Sequence, residues 1–256
     1  MERYQDRVGE LTVRVFDTRQ EMGQAAAEDA EKIINRAIAD QGEATVVFAA
    51  APSQNELLES LLDAEIDWTK VRAMHLDEYI GLPADHTAGF GNFLRRAIFD
   101  QLPFKEIHFL SDDELNAETI CDRYTRLIAK YPPDLALLGV GENGHLAFND
   151  PAVADFDDPE TVKVVELDDV CRMQQVNDGC FEKFDEVPQQ AVTLTMSALM
   201  AIKDTITVVP GKTKAQAVDA MLNGEITTDC PASILKTKEN AVLYLDVESA
   251  TPAVSL

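Results

Sequence analysis

DLALLGVGENGHLAFNDP, Asp134 to Pro151, is the stretch on which the fold turns. It opens as an apolar run, the pattern of a strand buried on both faces of a parallel sheet. It then passes through a turn with Gly139, Gly141 and Gly144 and delivers His145 among several polar side chains. An apolar strand ending in such a turn is how an open α/β sheet builds a site at the carboxyl ends of its strands.

Gly139 to Gly144 matches GxGxxG, and Glu166 lies about twenty residues on, where a dinucleotide site places a ribose-binding carboxylate. That fingerprint needs a helix to begin inside the turn. Here Pro151 leaves little room for one, and the turn lies in mid-chain. The competing interpretation is that the glycines let backbone approach a small ligand beside His145. A lone histidine is more often structural. His75 and His108, in apolar strands, fit that role, and His86 sits in a polar loop where solvation is expected. His145 follows a glycine turn at a strand end, and its ordinary pKa suits proton transfer near neutrality.

Outward from this turn, apolar strands alternate with helices. Strands are expected at Leu11–Phe16, 44–51, 71–76, 106–110, 205–210 and 241–247. Helices are expected over 19–41, 56–65, 90–100, 116–130 and 213–222, with 161–167 as an edge strand. Residues 192–195 form a short apolar segment that continues as a helix over 197–201. The alternation predicts an α/β fold: one open, mostly parallel, Rossmann-like sheet with helices on both faces, residues 1–256 forming a single domain. Ile80 to Asp85 is read as a loop, and Asp150 to Pro159, acidic and with two prolines, as the segment best suited to move.

The 256 residues carry 46 acidic and 22 basic side chains, a formal charge of −24. Such an excess of carboxylate argues against nucleic-acid and anionic-membrane partners, though a few cations and backbone N–H groups can still cradle one phosphate. The four cysteines are scattered without a CxxC pair, so neither a zinc framework nor a disulfide scaffold is indicated, and a reducing cytoplasmic compartment is the default. No apolar run approaches the length of a bilayer span.

Two further segments carry chemistry. The strand VRAMHL closes on Asp77-Glu78-Tyr79, so that Asp77 and Glu78 stand at its end. Such acids usually lie in solvated loops or cap helices, but parallel strands bring their carboxyl ends together, and a carboxylate facing His145 makes an acid/base pair. Gly211-Lys212-Thr213-Lys214 follows TITVVP and opens a helix, without the spacing of a Walker A loop. Lysines in a first turn oppose the helix dipole, which a bound anion offsets; otherwise they are a solvated pair.

Taken together, LDEYIGLPADH (76–86), GVGENGHLAFNDP (139–151), VPQQAVTLT (187–195), PGKTKAQAV (210–218) and CPASIL (230–235) resemble the glucosamine-6-phosphate deaminase (isomerase) family, related to the 6-phosphogluconolactonases. The resemblance covers about Phe16 to Val247. It implies an enzyme of the isomerase and hydrolase kind that turns an aldose 2-amino-6-phosphate into fructose 6-phosphate and ammonia with no metal or redox cofactor. It implies that His145 assists ring opening, that Asp77 is the general base at C2, and that Asn143 and Asp150 hold the histidine. Lys214 matches the phosphate-binding lysine. Ser53 and Gln54 stand where the family has a GGTP-like phosphate loop, while Gly141 and Gly144 allow close approach of substrate. The family arginine expected before VPQQAV falls near Asp178-Gly179, with Arg172 the nearest substitute. The family's aspartate before Gly-His is Asn143 here, and its glutamate is the shorter Asp150. The alternatives are a 6-phosphogluconolactonase, an enzyme for another sugar phosphate such as galactosamine 6-phosphate, or a non-catalytic sugar-phosphate sensor. The expected partner is a small sugar phosphate, and oligomerisation is left open, a homo-oligomer included.

Overall fold

The structure is a computed structural model that describes residues 1–83, 85–110 and 116–255, so Ala84 of the expected 80–85 loop lies outside the described residues. β1 (Glu2–Val8) and β2 (Leu11–Phe16) form an antiparallel hairpin that turns at Gly9, φ 62°. Thr18 caps α1 (Arg19–Gln41), its hydroxyl accepting from the Glu21 N–H at 3.2 Å. Gly42 ends the helix in the left-handed region that glycine alone adopts freely. α1 packs closely on α2 (Asn55–Leu62): a Cβ on Gly23 would lie 2.6 Å from the Glu56 carbonyl carbon.

β3 (Ala44–Phe48) precedes α2, and β4 (Val71–His75), β5 (Asp77–Tyr79), α3 (Phe90–Leu94) and β6 (Glu106–Ile107) follow it. α4 (Ala117–Lys130), capped by Asn116, leads to β7 (Leu135–Leu138), the strand of the opening stretch. Then come β8 (Val162–Glu166), α5 (Asp169–Asn177), β9 (Gln190–Leu194) and α6 (Met196–Ala201). β10 (Asp204–Val209), α7 (Ala215–Asn223), β11 (Ala241–Asp246) and α8 (Val247–Ala250) complete the described chain.

The large sheet runs β1-β2-β11-β10-β7-β3-β4-β6, parallel throughout except for the β1–β2 hairpin. Along β7, Leu135 and Leu137 join one core with Phe48, Met22 and Leu57, while Ala136 and Leu138 join the other with Tyr124, Met196 and Val218. Both faces are therefore covered by helices, which is why these strands read as continuous apolar runs. The chain leaves β3 toward β4 and β6, then returns on the other side of β3 as β7, so strand order reverses between β3 and β7. Loops that diverge at such a reversal open a crevice.

Several expectations are corrected. Asp77 to Tyr79 does not extend β4; it forms β5 of a second, antiparallel sheet, β5-β9-β8, pairing Asp77 with Thr193. The expected edge strand 161–167 is β8 of that sheet. The expected strand at 106–110 keeps only two residues, and the expected helix over 90–100 splits into α3 and a π-helical turn, Arg95–Phe99. β1 was unexpected, since its exposed polar residues lack an apolar stripe. α5 was unassigned, although Asp168 caps it by accepting from the Cys171 N–H at 2.7 Å. Lys163 secures part of the 150–159 segment, donating to Val153 O at 2.8 Å and to Asp158 at 2.7 Å.

Among the described residues no helix is long and apolar enough to cross a membrane. A charge of −24 strains a compact fold through self-repulsion, which salt screens. Thermal unfolding followed by circular dichroism should therefore shift to higher temperature as potassium chloride rises from the low-millimolar range toward molar; a midpoint that falls with salt would show that its surface ion pairs outweigh the net repulsion.

Candidate active site

The pocket lies where the carboxyl ends of β4, β3, β7 and β10 meet, and its walls include Asp77, Ser53, Gly141, His145, Thr213 and Lys214. Each strand contributes one loop, and the β3–β7 reversal separates two of them enough to admit a ligand.

His145 is set by the glycine turn. A Cβ on Gly141 would lie 2.2 Å from its ring, so only glycine lets the imidazole fold back over the turn. Gly144 adopts φ 83°, and a Cβ there would meet Cys230 Sγ at 2.6 Å. The His145 Nδ1 lies 2.8 Å from Asn143 Oδ1 and 2.9 Å from Asp150 Oδ1. Neither oxygen can donate, so Nδ1 carries a proton, and in the neutral ring Nε2 is the nitrogen with the lone pair. Asn143 is oriented unambiguously: Oδ1 also accepts from the His145 N–H at 3.1 Å, and Nδ2 donates to Asp150 Oδ1 at 2.9 Å. Burial favours protonation of Asp150, but the hydrogen bond and charge of His145, with Asn143, outweigh it and hold the carboxyl below its usual range. With Asn143 neutral, the negative charge beside Nδ1 is that of Asp150, 2.9 Å away.

Asp77 is only 6% exposed, and among the described residues no group donates a hydrogen bond to its carboxylate. Burial, reinforced by the Glu78 charge, pushes its pKa well above the ordinary carboxylate value. Glu78 has the opposite circumstance: it accepts from the N–H groups of Tyr79, Phe90 and Gly91 at 2.8–3.0 Å and serves as the anchor of α3. His75 holds the backbone at Asp77. Its Nδ1 donates to Asp77 O at 2.9 Å and its Nε2 accepts from the Leu110 N–H at 2.9 Å, so the ring is neutral, and burial pushes its pKa down to about 4.

Lys214 is also 6% exposed, and its ammonium makes no hydrogen bond or ion pair among the described residues. Burial lowers its pKa, while the charges of Asp178 and Glu142 act against that. Lys212, two residues earlier, is exposed, so the two lysines of the segment differ in kind. Among the described residues it is therefore a buried ammonium without an anionic hydrogen-bond partner, set in the pocket wall.

The structure brings Asp77, His145, Ser53, Gly141 and Lys214 to one pocket, with Asn143 and Asp150 behind the histidine. It does not bring Gln54, Gly144 or Arg172 to the pocket wall. Gln54 is fully buried and ties the β3 loop to β7, its Nε2 donating to Leu138 O at 3.4 Å and to Ser53 Oγ at 3.2 Å. Arg172 donates to Phe184 O at 3.1 Å and Val187 O at 3.0 Å and lies over the Phe184 ring, so it pins α5 to the following segment and does not replace a phosphate-binding arginine. His86 is half-buried and stacks on Phe181 instead of being solvated. Sequence reasoning missed Arg19, Gln174, Gln175 and Asp178 at the pocket. The last three belong to α5 and its carboxyl end, and Asp168 at the cap position was the signal for that helix. Gln174 also accepts from the Glu142 N–H at 2.9 Å, joining α5 to the glycine turn. Arg19 is held by Glu56 at 2.9 Å and had no distinguishing pattern.

A family model described as glucosamine-6-phosphate isomerases/6-phosphogluconolactonase matches residues 17–244. The chain belongs to this family. Within it, the chain is 32% identical to a glucosamine-6-phosphate deaminase of Bacillus cereus over 239 residues, 93% of this chain and 88% of that protein. It is 31% identical to the enzyme of that name from Lactobacillus delbrueckii subsp. bulgaricus, covering 83% and 88%. A solved monomeric glucosamine-6-phosphate deaminase superposes with a TM-score of 0.84 at 25% identity, covering 93% of this chain and 98% of that one. A 6-phosphogluconolactonase from Thermotoga maritima gives 0.74 at 19% identity, covering 92% and 99%, a likeness of fold.

The tautomer assignment is open to direct measurement. A long-range nitrogen–proton NMR correlation should show His145 with its proton on Nδ1, shielded from exchange with water. Gly141→Ala should abolish that signal while the remaining spectrum stays folded. A proton on Nε2 in the wild type would refute the assignment.

Proposed function

We propose that this protein is a glucosamine-6-phosphate deaminase, converting glucosamine 6-phosphate and water to fructose 6-phosphate and ammonia. One observation carries the proposal: a single pocket holds a buried carboxylate and a buried ammonium, both unpaired among the described residues, and a histidine whose Nδ1 is engaged, leaving Nε2 for the ligand. An anionic sugar with a C–H bond to be ionised is the ligand that uses all three.

Lys214, with the hydroxyls of Ser53 and Thr213, takes the phosphate. His145 Nε2 accepts the proton of the C1 hydroxyl and returns one to the ring oxygen, so the C1–ring oxygen bond breaks and the open-chain aldehyde forms. Asp77 removes the C2 proton, and the electron pair becomes the C1–C2 double bond as the carbonyl oxygen is protonated. Return of the proton to C1 leaves an imine at C2, which water hydrolyses to the ketone with loss of ammonia. Carbon acids are weak, so a base whose pKa is raised by burial is better matched to this step than an ordinary carboxylate. A lactonase needs an activated water but no base at C2, so the buried Asp77 favours the deaminase over the lactonase. The four free cysteines accord with a reducing, cytoplasmic setting.

Asp77→Asn should lower ammonia release from glucosamine 6-phosphate by about 100- to 10,000-fold while leaving substrate binding by calorimetry nearly intact; undiminished release would remove Asp77 as the base. The same variant should unfold at higher temperature at neutral pH. In the wild type the Asp77 carboxyl, with a folded pKa above the unfolded one, contributes most stability below the ordinary value near ~3.9 and loses that contribution as pH rises through the folded value. In the wild type, kcat/KM should fall with acid at a pH above that ordinary value, because only ionised Asp77 is active. Lys214→Met removes a charge-assisted contact worth about 1.5–3 kcal/mol, and KM should rise by roughly ten- to a hundredfold, measured by steady-state kinetics, with kcat changed less.

A further inference from the structure

His145 turns its Nδ1 edge toward Asn143 and Asp150, and a third group from α5 meets it there. Nδ1 of His145, a carboxylate oxygen of Asp150 and Sγ of Cys171 all lie within 4.8 Å of one another, and all three residues are buried. Asp150 is 1% exposed, and its Oδ2 is buried without a hydrogen bond of normal geometry. Cys171 is fully buried and has no part in the proton transfers described above. An imidazole nitrogen, a thiol that becomes a metal ligand on losing its proton, and a carboxylate form a ligand set suited to zinc and its softer relatives.

We propose that His145, Asp150 and Cys171 form an inhibitory site for a thiophilic divalent cation, zinc or cadmium. The neighbouring ligand atoms of a four-coordinate zinc are about 3.3–3.8 Å apart, so the group closes on the ion by roughly an ångström. The thiol proton is released to solvent. The imidazole proton moves from Nδ1 to Nε2, because Nδ1 must give its lone pair to the metal. The nitrogen facing the pocket then carries a proton and no longer accepts one. The ion thereby stops proton transfer without occupying the pocket, and inhibition is not relieved by substrate. The inhibitory effect rests on the role given to His145, whereas binding of the ion does not.

The two are separated by measuring them independently on chelator-stripped protein. Cobalt(II) serves as the spectroscopic probe of binding, and zinc chloride is titrated against ammonia release. The wild type should show a thiolate-to-cobalt charge-transfer band in the near ultraviolet, and Cys171→Ser should lose it even though Cys121, Cys180 and Cys230 remain. Metal-free Cys171→Ser should keep its activity, while its zinc inhibition midpoint rises at least tenfold. Should Cys171→Ser not fold, Cys171→Ala and the wild-type cobalt spectrum carry the test. A cobalt complex without a thiolate band, or equal zinc sensitivity in wild type and variant, overturns the site. A thiolate band with unimpaired turnover overturns the inhibition, and would count against the role given to His145.

Discussion

Thr193 ties the two halves of the site together. It is fully buried in β9, where its backbone pairs with Asp77 across the second sheet. Its hydroxyl accepts from the Phe148 N–H at 3.1 Å, and the next carbonyl, Leu194 O, accepts from Asn149 Nδ2 at 2.8 Å. One strand therefore grips both the carboxylate segment and the far end of the histidine turn. The large sheet brings β4 and β7 to the same edge, but the small sheet sets how their side chains meet. Tyr79 packs on Phe148 across the same junction, with ring centroids 5.3 Å apart, and such ties matter because positional errors near an ångström are costly in catalysis.

The pocket is where this protein departs from ordinary rules of burial. Asp77 and Lys214 are nearly inaccessible yet unpaired among the described residues, and each is pushed toward its neutral form by desolvation. Two other buried acids, Glu78 and Asp246, are satisfied by backbone N–H groups. Glu78 takes three backbone N–H groups, and Asp246 accepts from the Gly211 and Ser249 N–H groups. The contrast separates acids that hold the fold from one that no group among the described residues hydrogen-bonds. It also accounts for the rigid surroundings of the site: Gly141 packed against a ring, Ala147 at φ 49°, and His75 fixed at both nitrogens.

Much of this was legible in sequence because the strands of the large sheet are buried on both faces and read as unbroken apolar runs. The glycine turn was legible for a different reason: Gly141 and Gly144 stand where a side chain would collide. What escaped was whatever depends on tertiary pairing. β5 looked like the end of β4, since a three-residue strand has no periodicity of its own. Arg172 was a plausible phosphate ligand until its helix was placed, because one residue's direction on a nine-residue helix is not written in its neighbours. Lys212 and Lys214 look equivalent in sequence, and only the start of α7 buries one and exposes the other.

The central claim is that the reaction passes through removal of the C2 proton by the buried carboxylate. Glucosamine 6-phosphate carrying deuterium at C2 tests it most directly, with product label read by mass spectrometry and NMR alongside the rate of ammonia release. The account predicts slower release than with unlabelled substrate, and deuterium either at C1 of fructose 6-phosphate or lost to water. An unchanged rate with the label retained at C2 of the product would contradict it.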